Sequence, residues 1–130
     1  MERNTGDSIR LTVPATSAAV RIARSGAAAL ATHAGFSYRE GEELRLAVGE
    51  AAALLAPAPE GDGTLVIVYD LEDEALHIDL HLTEDAGAVG DVPPVAAAVL
   101  DASVDTWRLD DGGRRIVLHK RAHPDADYDD

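Results

Sequence analysis

Cysteine is absent from the 130 residues of this chain. A disulfide framework, a thiolate metal site and a cysteine nucleophile are therefore excluded. Large aromatic residues are scarce as well, with one Trp, one Phe and three Tyr. Apolar residues nevertheless make up 46% of the chain, and many of them are alanine. The core should therefore consist mainly of Leu, Val, Ile and Ala.

Long apolar runs are also missing. A membrane-spanning helix needs about 18 or more apolar residues, and no stretch approaches that length. Residues 1–7 contain no apolar segment of the kind found in secretory signal peptides. We therefore expect a cytoplasmic protein that does not associate with membranes.

Basic residues are few, with 11 Lys and Arg against 24 Asp and Glu and a net charge of −13. Surfaces that bind nucleic-acid phosphates need clustered cations, so this excess of acidic residues argues against a nucleic-acid partner. An acidic surface suits a partner with a basic surface. Acidic residues and a lack of apolar periodicity mark the end of the chain. We predict a flexible N-terminus (1–7), one domain (8–121) and an acidic disordered tail (122–130).

The spacing of apolar residues predicts the order β-α-α-β-β-α-β-β. The predicted strands are 8–13, 64–70, 76–82, 106–109 and 114–120. The first predicted helix starts after Thr16 or Ser17 and ends before Gly35, the second starts after Ser37 and runs through Leu55, and the third covers 95–102. Strands and helices mix without strict alternation, which favours an α/β two-layer sandwich. In it, a mixed, mainly antiparallel sheet carries the helices on one face.

The second predicted helix carries the most specific pattern in the chain. It follows Gly35-Phe36-Ser37-Tyr38, and its centre reads Glu-Leu-Arg-Leu-Ala-Val-Gly-Glu-Ala over 43–51. This string resembles the second helix of RsbW-type anti-sigma factors, the serine-kinase branch of the GHKL (Bergerat-fold, histidine-kinase-like) ATPases. The predicted order of elements also resembles that family from Ile9 to about Arg121.

The resemblance implies a nucleotide site whose motifs are damaged. Glu50 stands at the position of the family's general base, but Leu54 replaces the asparagine that holds Mg²⁺ one turn later, and leucine offers no oxygen ligand. Asp85 and Gly87 are at most what remains of the family's adenine-reading motif, in which Val89 replaces the last glycine. Glu84 fits the acidic position of that motif as well as Asp85 does. The resemblance therefore implies no ATP and Mg²⁺ binding, or weak binding, and leaves serine/threonine kinase activity in doubt.

Simpler readings of the same residues remain open. Glu50 would also fit an exposed helix glutamate, and Asp85 and Gly87 would fit an ordinary turn after a strand. The polar row formed by His77, Asp79 and His81 lies at alternate strand positions, as metal ligands can. A half-exposed strand shows such a row in any case, so we expect a solvent-facing surface and no metal site.

Arg21 and Arg24 lie one turn apart on the first predicted helix, among small residues. In the family this helix helps bind the sigma factor and, alternatively, a STAS-domain anti-anti-sigma antagonist. The resemblance thus implies regulation of transcription in a stress response, through these partners and a homodimer. Two alternatives stay open, an active kinase of the STAS protein and a scaffold that has lost sigma binding. Arginines whose stems cover apolar surface would explain the pair equally simply.

Overall fold

The computed structural model of the chain describes residues 7–83 and 88–123. Within them lie five strands and three α-helices, in an α/β arrangement. The strands are β1 (Ser8–Pro14), β2 (Thr64–Glu72), β3 (Ala75–Leu82), β4 (Thr106–Asp110) and β5 (Arg115–Arg121). The helices are α1 (Ala18–His33), α2 (Tyr38–Leu55) and α3 (Pro94–Ser103), and a short 3-10 turn, Asp111–Gly113, joins β4 to β5.

The strands form one sheet in the order β1-β2-β3-β5-β4. All four neighbouring pairs are antiparallel, so the expected mixed sheet is wrong in that detail. The reason lies in the connection from β3 through α3 to β4. This connection brings the chain back so that β4 runs parallel to β3, but β4 does not pair with β3. β5 lies between these two strands and is antiparallel to both. The coarser expectation of an α/β sandwich is confirmed.

Alternation along the strands divides the sheet into two faces. On the inner face, which the helices cover, lie the fully buried side chains Leu65, Ile67, Tyr69, Leu76, Ile78, Leu80, Ile116 and Leu118. The opposite, outer face carries half-exposed polar residues, among them His77, Asp79 and His81. Helices α1 and α2 pack closely on each other. Both contain buried alanines, among them Ala23, Ala27 and Ala47.

Local signals explain where the second helix starts. The Ser37 hydroxyl accepts a hydrogen bond from the Glu40 backbone N–H at 3.0 Å, and the Glu40 carboxylate accepts one from the Ser37 N–H at 3.0 Å. This is the predicted capping box, which satisfies two backbone donors at the helix start. The first helix differs, because Ser17 occupies its N-cap position but its side chain makes no capping hydrogen bond.

Gly26, in the middle of α1, is explained by a long-range contact. The hydroxyl of Tyr69 donates a 2.8 Å hydrogen bond to the backbone carbonyl of Ala23, and Tyr69 is completely buried. A Cβ at position 26 would lie 2.6 Å from that hydroxyl. Burial also raises the pKa of Tyr69, so the phenol stays protonated.

The domain ends later than the sequence suggests. Ala122 donates its N–H to the Glu74 carbonyl at 2.7 Å, and His123 donates its N–H to the Glu40 carboxylate at 2.8 Å. These two residues, assigned to the tail in the sequence analysis, are therefore bonded to the domain. The rest of the expected tail (124–130) and most of the expected flexible N-terminus (1–6) lie outside the described residues.

Candidate partner-binding site

The groove between α1 and α2 contains Arg24, one of the two predicted partner-binding residues. Its aliphatic stem lies across α2 at Gly49, where a Cβ would come within 2.7 Å of Arg24 Cδ and 3.0 Å of Cγ. Gly49 is buried, and glycine is a costly residue in a helix interior, by about 1 kcal/mol relative to alanine. The missing side chain at Gly49 thus lets Arg24 lie in the groove.

Arg24 lines two neighbouring clefts. One, of about 240 Å³, is also lined by Val20, Leu46, Gly49, Glu50 and Ala53, and the other, of about 220 Å³, by Glu42, Arg45 and Leu46. Arg24 is half-buried, and it makes no ion pair or hydrogen bond with any residue in the described part of the chain. A half-buried cation without an internal partner can pair with a carboxylate supplied from outside. Arg21 is exposed and does not line either cleft.

Glu50, the candidate general base, lies in the same cleft as Arg24 and is half-buried. Leu54 lines a different cavity, of about 180 Å³, beside Ala15, Pro57, Gly61 and Ala88. Glu50 and Leu54 are one helical turn apart, yet they open to separate spaces. A ligand in either cavity would therefore meet only one of them.

The segment that resembles the adenine-reading motif is described only from Ala88 onward. Asp85 and Gly87, the other two candidate cofactor-binding residues, lie outside the described residues. Val89 donates its N–H to the Gly113 carbonyl at 2.8 Å, and its own carbonyl occupies the space that a Cβ on Gly113 would need. The half-buried Val89 side chain packs against the core. This residue therefore fixes the segment to the β4–β5 turn.

On the outer face of the sheet, the structure divides the polar row of β3 among separate neighbours. His81 Nε2 lies 3.2 Å from Asp111 Oδ2, and Asp79 Oδ1 lies 3.4 Å from Arg115 Nε, which is buried and makes no hydrogen bond. Across the strands, the His77 ring packs near that of His119, with 6.1 Å between their centroids. No three metal-ligating side chains converge anywhere in 7–83 or 88–123.

A cluster that sequence reasoning missed joins the start of α2 to the end of β5. Lys120 is buried, and its Nζ lies 3.0 Å from Glu43 Oε1 and 2.8 Å from the Ser103 carbonyl oxygen. Glu40, also buried, accepts the backbone bonds from Ser37 and His123. The sequence did contain a signal for the burial of Lys120. Lys120 alternates with Ile116 and Leu118 along β5, so these three side chains lie on the same, inner face of the sheet.

The Glu40 carboxyl is held in its charged form. Burial on its own would raise its pKa, but the N–H groups of Ser37 and His123 and the nearby charge of Lys120 outweigh that effect. The pKa of Glu40 is therefore below its ordinary value of 4.5.

Charge is distributed unevenly along the chain, a second feature that the sequence analysis missed. Residues 8–39, which form β1, α1, the connections after them and the first two residues of α2, include four arginines and no Asp or Glu. All 24 acidic residues lie elsewhere in a chain whose net charge is −13. The surface formed by β1 and α1 therefore differs in charge from the rest of the protein.

Comparison of the sequence with protein-family models and with curated proteins finds no match. None of the helices in the described ranges has the length and apolar character needed to cross a bilayer.

Proposed function

We propose that this chain is a regulatory protein-binding domain of the anti-sigma-factor type. In this proposal it sequesters a sigma factor in the cytoplasm and is released when a STAS-domain antagonist competes for the same surface. The protein acts as a homodimer in transcriptional regulation, as RsbW-like proteins do in stress responses, and contacts neither nucleic acid nor membrane. The observation that carries the proposal is the Arg24 guanidinium, which lies unpaired in the α1–α2 groove.

Three features support a role in binding. The segment 35–51 carries the string that resembles the anti-sigma family. The first helix, which would engage the partner by that resemblance, presents Arg21 and Arg24 and contains no acid. Gly49 leaves room for Arg24 at the expense of helix stability, a combination that suits a functional contact better than a purely structural one.

In the same proposal, the chain binds ATP and Mg²⁺ weakly or not at all and transfers no phosphate. Leu54 supplies no metal ligand, and Glu50 opens to a different cavity from Leu54. Val89 replaces the last glycine of the resembled motif, and its half-buried side chain packs against the core. Backbone amides that cradle phosphates usually come from glycine-rich segments, which this region lacks.

An active serine/threonine kinase is the second candidate, and one observation favours it. The Glu50 carboxylate makes no hydrogen bond or ion pair with the residues that the structure describes. It is therefore available as a base, should Mg²⁺ and ATP be held by a site that differs from the family's. Phosphate transfer to a STAS protein that depends on Glu50 would favour this candidate.

Co-purification from the native cytoplasm tests the proposal. A tagged chain, with Arg24→Ala beside it and Arg39→Ala as an exposed control on α2, is isolated and its bound proteins are identified by mass spectrometry. We expect a sigma factor or a STAS protein with the wild type and the control, and its loss with Arg24→Ala. Recovery of neither class with the wild type would contradict the proposal.

A further inference from the structure

The two edges of the sheet differ in how well they are protected. β4, at one edge, has only five residues and carries the ion pair between Arg108 and Asp110, whose Nε and Oδ2 atoms are 2.6 Å apart. Short length and charge are common ways of preventing an edge strand from pairing with another chain. β1, at the other edge, has seven residues, no bulge and a single charged side chain, Arg10. Its proline lies at the last position, where it leaves the rest of the strand able to pair.

Apolar side chains are exposed along this second edge. Ile9 on the inner side of β1 is 44% exposed, and Ile22 on α1 is 41% exposed. Ile22 and His33 are about three turns apart on the same side of α1, and His33 lines a cavity of about 300 Å³ with Ser8 and Ile9. Ile22 therefore lies on the β1 side of the helix, away from Arg24. An exposed apolar edge strand is a template for strand addition.

The charge of this region indicates which chain would add there. β1 and α1 together contain three arginines, Arg10, Arg21 and Arg24, and no acid. Of these, Arg10 lies on the edge strand itself. The acids closest to β1 lie at its two ends, Asp7 and Asp70 at the N-terminal end and Asp62 in the turn beside Ala15 at the C-terminal end. The middle of the strand, around Arg10, has no acid beside it in sheet register. A second copy added through the same strand would bring two such edges, each with Arg10 and no acid of its own, against each other, whereas an acidic segment would complement Arg10.

We propose that the outer edge of β1 binds an extended acidic segment of another protein, which becomes a sixth strand of the sheet. Backbone hydrogen bonds to β1 supply affinity, and alternate side chains supply specificity. Apolar residues of the segment face the helix side, where they meet Ile9, Leu11 and Ile22. Acidic residues face the opposite side, where they meet Arg10. The segment therefore alternates apolar and acidic residues.

This surface is separate from the α1–α2 groove, and the inference does not require a sigma factor. Its probe is an acetylated eight-residue peptide that alternates valine and glutamate, titrated into the isotopically labelled chain and followed by NMR. A peptide with lysine in place of glutamate is the first control. The second control is the glutamate peptide with alternate backbone nitrogens methylated. The methyl groups remove the N–H donors on the peptide edge that would pair with β1.

We expect amide shift changes centred on residues 8–14, with binding at least tenfold weaker for both control peptides. The variants Ile9→Lys and Arg10→Glu should each weaken binding of the glutamate peptide at least tenfold. Val95→Lys on α3 and Arg108→Glu on β4, which make the same kinds of change at exposed residues elsewhere, should not.

Three results would overturn the inference. The first is equal binding of the lysine peptide, which would remove the charge argument. The second is shift changes centred on the α1–α2 groove or on residues 124–130 instead of β1. The third is a dimer of the wild-type chain, seen by analytical ultracentrifugation, that Ile9→Lys dissociates, because the edge would then belong to a second copy. These peptide-binding and sedimentation measurements give the same answer whether or not the chain binds a sigma factor.

Discussion

Arg24 of α1 lies directly over Gly49 of α2, so the groove between the helices depends on a residue with no side chain. In Gly49→Ala, the new Cβ would lie 2.7 Å from Arg24 Cδ, so the arginine stem must shift from its place over α2. We expect partner binding to weaken by about tenfold, as for loss of an interfacial charge contact. The melting temperature should stay level or rise, because alanine is about 1 kcal/mol better than glycine in a helix.

Binding and thermal unfolding of the same Gly49→Ala preparation check this prediction. Gly41→Ala is the matched control, since its Cβ would meet only Ala31 Cβ at an ordinary 3.4 Å. That variant should bind normally. If Gly49→Ala also binds normally, the position of Arg24 does not matter for the partner.

Gly26→Ala should have the opposite effect on stability. Its Cβ would lie 2.6 Å from the Tyr69 hydroxyl and 2.8 Å from Tyr69 Cζ, and the buried ring has little room to move. Overpacking of this kind commonly costs about 1–3 kcal/mol, which exceeds the roughly 1 kcal/mol gained in helix propensity. We expect a net loss in the free energy of unfolding, measured by urea denaturation. An increase matching that of Gly41→Ala would show that the ring relocates freely.

These glycines illustrate which parts of the structure could be predicted from the sequence. The start of α2 was predictable because Ser37 and Glu40 are three residues apart and cap each other locally. The contacts of Gly26 with Tyr69 and of Gly49 with Arg24 join different elements. Their cause becomes visible only when the helices are packed on each other and on the sheet.

The same limit applies to the sheet and to the candidate site. Apolar periodicity indicated each strand, but the antiparallel pairing of β3 with β5 depends on where the chain from α3 re-enters the sheet. Arg24 and Glu50 were both singled out from the sequence, yet nothing in their spacing indicated a shared cleft. Lys120 was predicted to lie in a strand, but its burial depends on Glu43 and the Ser103 carbonyl, which are distant in sequence.

The lowered pKa of Glu40 predicts how stability changes with pH. A carboxyl with a lower pKa in the folded state binds a proton more readily when unfolded, so its contribution is present above the ordinary pKa and is lost as the pH falls. Between pH 7 and pH values below 4.5, the wild type should lose more stability than Glu40→Gln, which cannot ionise. Urea denaturation of both proteins across this range measures the difference, in which contributions from the other acids largely cancel. Parallel pH profiles would contradict the assignment.

Nucleotide binding should be weak or absent. Leu54 provides no oxygen for Mg²⁺, which requires oxygen ligands, and Val89 stands in place of a glycine. Isothermal titration calorimetry with Mg·ATP should detect no low-micromolar affinity, and incubation with labelled ATP and a STAS protein should transfer no phosphate above a Glu50→Ala control. Mg²⁺-dependent binding in the low-micromolar range, or transfer that needs Glu50, would support the kinase instead.

The central claim is that α1 presents the partner-binding arginines, and affinity measurements with the co-purified partner test it most directly. Titrations would compare the wild type with Arg21→Ala, Arg24→Ala, the double variant and the exposed control Arg39→Ala. Losing an arginine–carboxylate pair that is desolvated at an interface commonly costs about 2–5 kcal/mol, so each single variant should bind more than about tenfold more weakly. The melting temperature of Arg21→Ala should barely change, because an exposed charge contributes little to stability. Arg24→Ala also removes the stem that lies across Gly49, so its binding is measured well below its own melting temperature. If the double variant holds the partner as tightly as the wild type, the first helix is not the binding face.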